Sequence, residues 1–235
     1  LSAEAGFEEK HQRIPIIIKY GIDCNTDDLI RDIKALPSHN HQDIIIALDP
    51  KRILVFKVIT VSSACNVKKL ISLYTEEIND LFKKYYGVTS DSLDAISYFI
   101  GSMQTSYEYY NKAFEHAEWL ENFLENSSER VNFFLDYIME YTASQTSKET
   151  LDVILGFFNK NLTKNLNKEM FIETIQAFFE SNMNLDATAE KLFVHRNTVV
   201  FRLRKIKKIL GLDPVKNIKD AAILLYLLYY CRYCA

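Results

Sequence analysis

Glycine and proline are scarce in this chain, at six and four among 235 residues. An all-β fold with many tight turns needs more of both, so long helices are the better expectation. No run approaches the ~20 consecutive apolar residues that a membrane-spanning helix requires. The most apolar stretch, Ala221 to Tyr230, is ten residues long and reads as a buried core helix. The opening Leu1-Ser2-Ala3-Glu4 lacks the basic-then-apolar order of a secretory signal, and a cytoplasmic protein without a membrane partner is expected. No Met begins the chain, which leaves a preceding domain open. Four cysteines suit reduced thiols better than a disulfide framework. Cys231 and Cys234 have C-x-x-C spacing, but a zinc site needs four ligands and no second pair is near, so two thiols on an apolar terminal helix are expected. A phosphate-cradling glycine loop, G-x-S-x-G and H-E-x-x-H are also missing. The expectation is therefore no enzyme, no cofactor and no metal.

What is present is an ordinary globular composition, 48% hydrophobic and 25% charged, with length for one large domain or two small ones. The net charge of −3 argues against a general nucleic-acid coat protein. Its distribution is more informative. Residues 187–219 hold nine basic side chains against two acidic ones, a local +7 that leaves −10 for the remainder. Such a segment can attract phosphates while the acidic body stays in solution, although a solvated helix face has the same composition.

Three β-branched apolar runs, at 14–18, 43–48 and 53–59, read as strands. Asp49-Pro50-Lys51-Arg52 has turn chemistry, so the last two form a hairpin. Helical spacing of apolar residues appears over 26–36 and 66–86, the latter stopped by Gly87, and again over 105–124. A short strand is expected within 94–103 and a loop at 126–128. Residues 129–165 read as two helices separated near 145–148, and 168–180 as another. The fold class expected is α+β: an α/β sensory or dimerisation domain over 1–127, a helical linker over 128–166, and an all-α helix-turn-helix domain over 167–235.

The stretch Asn184 to Ile206 carries the functional signal. Asn184 is placed to cap a first helix whose inner face holds Ala189 and Leu192, the small Ala allowing the close crossing of a helix-turn-helix. Phe193-Val194-His195 form the turn, with Val194 inward. The second helix buries Val199, Leu203, Ile206 and Leu210 and ends at Gly211, with Pro214 beyond. Its other face presents Arg196, Asn197, Val200, Phe201, Arg204 and Lys208. The first turn of a recognition helix meets base edges. Arg196 has the donors to grip a guanine, and Asn197 can pair with adenine. Thr198 and the amides of that turn suit a phosphate oxygen. Val200 and Phe201 can meet a thymine methyl, or Phe201 packs on a neighbouring helix. His195 either contacts phosphate or caps the helix.

With these residues in hand, Leu192-Phe193-Val194-His195-Arg196-Asn197-Thr198-Val199 through Gly211-Leu212-Asp213 resembles the C-terminal helix-turn-helix of PucR/CdaR-family transcriptional regulators. It is also similar to the DNA-binding end of the Fis protein, which shares an R-x-T-apolar start. The resemblance covers about residues 168–230 and implies a bacterial regulator. Phe193 stands where many such turns have Gly. Members of this family often carry a domain resembling a degenerate GGDEF cyclase. The hairpin 43–59, the segment 66–86 and residues 100–113 are similar to it. The hairpin turn has no Gly-Gly-Asp/Glu-Glu-Phe, and Asp49 alone cannot hold the metal ions of a cyclase.

These readings point to a sequence-specific DNA-binding regulator, with double-stranded DNA as partner, a homodimer as the working form and a small-molecule effector as a further partner. The alternative is a non-catalytic ligand-sensing or protein-interaction module that binds no DNA.

Overall fold

The computed structural model describes residues 11–60, 64–89, 95–124 and 129–234. The chain divides into two compact units, Leu1–Tyr137 and Ile138–Ala235. The fold is α+β, with every strand among the described residues in the first unit.

Strand β1 (Arg13–Tyr20) lies at the middle of a five-stranded sheet because its β-branched run is apolar on both faces. It pairs antiparallel with β3 (Arg52–Val58), Ile16 opposite Val55, and with β4 (Ile96–Ile100), Ile16 opposite Ile100. The expected hairpin joins β2 (Ile44–Asp49) to β3. A short β5 (Val131–Phe133) runs parallel to β4, and the strand order is β2-β3-β1-β4-β5. Ile14, Ile16, Ile18 and Tyr20 face a core with Leu29 and Ile33 of α1 (Thr26–Lys34) and Ile71, Tyr74, Ile78 and Phe82 of α2 (Ala64–Tyr85). After α2 the chain turns at Gly87, whose φ of 68° is the left-handed conformation expected of a glycine stop. Helix α3 (Tyr110–Phe123) packs on β1 and β4. Gly101 permits that approach: a Cβ there would run into the Ala113 carbonyl oxygen and sit 2.7 Å from Pro15 Cγ.

The strand at 131–133 is a correction. Residues 129–165 were expected to form two helices, but the first part of that range pairs with β4 and then makes a tight 3-10 turn, Phe134–Tyr137. Three residues cannot show a period of two, and only the distant partner β4 makes them a strand. The loop expected at 126–128 lies outside the described residues.

The second unit is all helical: α4 (Ile138–Ser144), α5 (Lys148–Asn165), α6 (Lys168–Glu180), α7 (Leu185–Lys191), α8 (Arg196–Leu210) and α9 (Ile218–Tyr233). Side-chain caps from Ser147, Asn167, Asn184, His195 and Asn217 start the last five. The range read as linker contributes to the core here. Leu151, Leu155 and Leu162 of α5 join Phe171, Ile175 and Phe178 of α6, the buried stripe of α8, and Leu224, Leu227 and Leu228 of α9. Cys231 is buried on α9, and burial pushes its thiol up to about 11. Cys234 is half-buried at the helix end.

Candidate nucleic-acid interface

Helix α7 begins where the sequence places it. The Asn184 side-chain oxygen accepts from the amides of Asp186 at 2.9 Å and Ala187 at 3.1 Å. Ahead of it, Asn182 and Met183 are left-handed, and the Met183 amide donates to the Phe178 carbonyl at 2.8 Å, closing α6. Ala189 is buried and Leu192 half-buried, as the crossing of α7 and α8 demands. The Val194 amide donates to the Ala189 carbonyl at 3.0 Å, which draws the turn back under α7 with Val194 packed against the core.

Phe193 takes the left-handed conformation that this turn requires, with φ of 54°. Its ring is 96% exposed, so the residue at the usual glycine position contributes nothing to the core.

His195 caps α8. Its Nδ1 accepts from the Asn197 amide at 3.2 Å, which decides between the two roles open in the sequence as far as the ring nitrogen facing the helix is concerned. The Thr198 amide donates to the His195 carbonyl at 2.8 Å. Two first-turn amides expected to be available for a phosphate are thus already engaged. Thr198 itself is half-buried.

Val199, Leu203, Ile206 and Leu210 are all buried on α8, and Gly211 ends the helix with φ of 76° while donating to the Lys207 carbonyl at 2.8 Å. The opposite side is open. Asn197, Phe201, Arg204 and Lys208 are exposed, and Val200 is half-buried. Phe201 is 66% exposed, so packing on a neighbouring helix does not account for it. Lys205, four residues beyond Phe201 and omitted from the expected face, is exposed as well. Arg202 points elsewhere: its Nη1 donates to Thr174 Oγ1 on α6 at 3.2 Å. Lys207 pairs with Asp213 at 2.7 Å.

Arg196 is not idle. Its Nε lies 3.0 Å from Asp186 Oδ1, with the arginine side chain 50% exposed and the aspartate more so. An exposed pair of this kind contributes ~0.2–1 kcal/mol. A bidentate contact to guanine is worth ~1–3 kcal/mol of discrimination, so a base edge can outcompete the aspartate. Arg204, Lys205 and Lys208 have no ion-pair partner among the described residues. The outcome is a convex, cationic helix side, apolar beneath, with an arginine and an asparagine in its first turn.

Residues 171–228 match the model of the PucR C-terminal helix-turn-helix domain. The chain is 34% identical over 68 residues to the purine catabolism regulatory protein of Bacillus subtilis (strain 168), covering 27% of this chain and 12% of that protein. It is 39% identical over 58 residues to the carbohydrate diacid regulator of Escherichia coli (strain K12), covering 25% of this chain and 15% of that one. Among solved structures, the regulator of polyketide synthase expression from Bifidobacterium adolescentis aligns over 95% of this chain and 82% of its own, at 14% identity and a TM-score of 0.34. The chain therefore spans a small part of the length of the two regulators it matches in sequence. The second unit of this chain carries a helix-turn-helix domain of the PucR type.

Proposed function

We propose that this chain is a transcriptional regulator that binds double-stranded DNA sequence-specifically, as a dimer, by inserting α8 into the major groove. One observation carries the reading: α8 buries its apolar stripe completely and turns Arg196, Asn197, Phe201, Arg204 and Lys208 to solvent. In this reading Arg196 and Asn197 read bases, and Val200 and Phe201 meet thymine methyls. Arg204 and Lys208 hold phosphates, and His195 and Thr198 flank the backbone at the helix start. The two relatives named as regulators support the class.

The first unit then has a sensing or coupling role in the cytoplasm without catalysis, on a fold resembling a degenerate GGDEF domain. In functional terms we divide the chain into residues 1–127 for sensing, 128–166 as connection and 167–235 for DNA binding. Asp49 of the hairpin and Glu121 of α3 fit a structural role better than a metal-holding one. Asp49 is paired with Arg52, and Arg52 also reaches Glu121 at 3.0 Å, so both acids already hold cations of the chain's own. Among the described residues no three His, Cys, Asp or Glu side chains are grouped to hold a metal ion, and no helix is long and apolar enough to cross a membrane.

Selection of genomic fragments by the purified chain, read by sequencing, tests this. A recurring site with two half-sites is expected. Equal affinity for all fragments, insensitive to salt, would remove the proposal.

A further inference from the structure

Helix α5 has an outer face that the second unit does not explain. Leu151, Leu155 and Leu162 fill the core on its inner side. The side directly opposite should be polar in an amphipathic helix. Instead Val153 is 82% exposed, Phe157 73% and, at the edge of the patch, Ile154 60%. Gly156 borders Val153 on the other edge of the patch from Ile154, and apart from the backbone of its own helix and its chain neighbours nothing comes within 4 Å of the place its Cβ would take. A glycine in a helix interior is unfavourable, and nothing inside this unit calls for it. It leaves a flat spot where another helix can approach the α5 backbone.

The charges along this face say what that helix is. Going outward from the apolar centre, Glu149 stands at the N-terminal end, and Lys160 and Lys164 at the C-terminal end. All three are exposed, and none has an ion-pair partner among the described residues. Steps of four, four, three and four residues put Glu149, Val153, Phe157, Lys160 and Lys164 on one stripe. A stripe acidic at one end and basic at the other, with its apolar centre near residue 155, is complementary to itself when reversed. An antiparallel second α5 sets Glu149 of each copy against Lys160 and Lys164 of the other and stacks the two Val153–Phe157 patches across the axis.

We infer that the outer face of α5 is a two-fold interface for a second copy of this chain, closed by Glu149 of one protomer on Lys160 and Lys164 of the other around the Val153–Gly156–Phe157 patch. The inference deepens the DNA-binding proposal, which calls for two recognition helices. It is also compatible with it in space: α5 meets α8 through the buried side of both, so an interface on the outer face of α5 leaves the cationic side of α8 uncovered. Three apolar side chains and their charged flanks fall short of the ~800 Å² per partner of a standard interface. The pair is therefore weak in free solution and is completed on DNA.

Sedimentation of the whole chain without DNA tests this. The wild type associates reversibly at tens of micromolar, and Phe157→Glu is monomeric there with an unchanged far-UV spectrum. Glu149→Lys alone and the Lys160→Glu/Lys164→Glu pair each weaken association at least tenfold. Mixing those two variants restores it, because the mixed pair has both charge contacts in the right sense. A monomeric wild type, its α5 face left free or covered by another part of the same chain, overturns the inference. So does a mixture that associates no better than its components. Either result leaves DNA selection by single chains standing. Conversely, intact association in a chain that selects no DNA removes the DNA proposal and leaves this interface.

Discussion

The two units handle charge in opposite ways. In the first, charged groups are built into the interior. Lys57 is buried on β3, donating to Asp43 Oδ2 and the Ser38 carbonyl, both at 2.8 Å, beneath the Tyr74 ring. Asp43 also accepts the Val58 amide at 2.7 Å, and buried Arg13 donates to Tyr110 Oη at 2.9 Å. In the second unit, the fully buried polar side chains among the described residues are Thr174 and Thr188, both uncharged; Glu140 of α4 is half-buried, with burial raising its carboxyl, and the cations stand on the rim of α8. A buried charge acts on stability, because removing its partner strands it in a poor solvent. An exposed charge barely affects stability and remains available for a partner. The comparison assigns structural work to the charges of one unit and recognition to those of the other.

The largest effect should come from breaking the internal pair. Asp43→Ala leaves Lys57 without its carboxylate and the Val58 amide without an acceptor, and should destabilise the first unit by about 3–5 kcal/mol. Trp119 is the sole tryptophan and lies in this unit, so its fluorescence in urea reports the loss directly. Replacing Asp43 and Lys57 together by apolar residues should cost less than Asp43→Ala alone. A larger cost for the double change would mean that the pair supplies net stability rather than mutual tolerance.

The mirror experiment lies on α8. Arg196→Ala should remove about 1–3 kcal/mol of preference for one base pair, read as a relaxed position in selected sites. Lys208→Ala should weaken binding to all sequences alike and shallow its salt dependence. Neither should change the unfolding free energy by more than about 1 kcal/mol. A substantial loss of stability in either variant would mean that these cations are structural, as those of the first unit are.

Acidification sharpens the comparison with a smaller effect. Burial holds His39 below the ordinary histidine range, although Asp43 opposes it at 3.3 Å. Burial does the same to His116, which sits 2.8 Å from Ser102 Oγ and stacks on Phe134. Both protonate more readily in the unfolded chain than in the folded one. Their contribution is therefore full above the unfolded value of about 6.5 and is lost as pH falls below it. Trp119 fluorescence should show the urea midpoint falling as pH drops below about 6.5, and His39→Gln with His116→Gln should flatten that slope. The second unit has no buried histidine to add to it.

Most of the architecture was legible because it rests on local periodicity. The stripe Val199, Leu203, Ile206 and Leu210, the caps Asn184 and Gly211, and the unbroken apolar run of β1 each state their environment within a few residues. What stayed hidden depends on distant partners. Val131–Phe133 becomes a strand only through β4. The range 138–165 looks like a connection until α6, α8 and α9 supply the surface that Leu151, Leu155 and Leu162 fill. On the recognition side the outward face was readable from helical spacing. Spacing left His195 between a phosphate contact and a cap and did not show the Asp186 contact of Arg196, because each depends on the angle of the turn.

The turn itself offers the smallest and most selective test. Phe193 combines a left-handed backbone with a ring 96% exposed, so it bears backbone strain without burying its side chain. Its amide still bonds the Glu190 carbonyl at 3.1 Å, a contact that any residue there would keep. Phe193→Gly removes the strain of a bulky residue at positive φ, and the freedom that glycine adds to the unfolded chain offsets part of the gain. A net stabilisation of the second unit by a few tenths to ~1 kcal/mol is expected. Thermal unfolding followed by far-UV circular dichroism measures it. If the glycine variant is instead less stable, the ring must be doing packing work, and the contrast between an interior that holds paired charges and a recognition unit with an idle exposed aromatic would have to be redrawn around that contact.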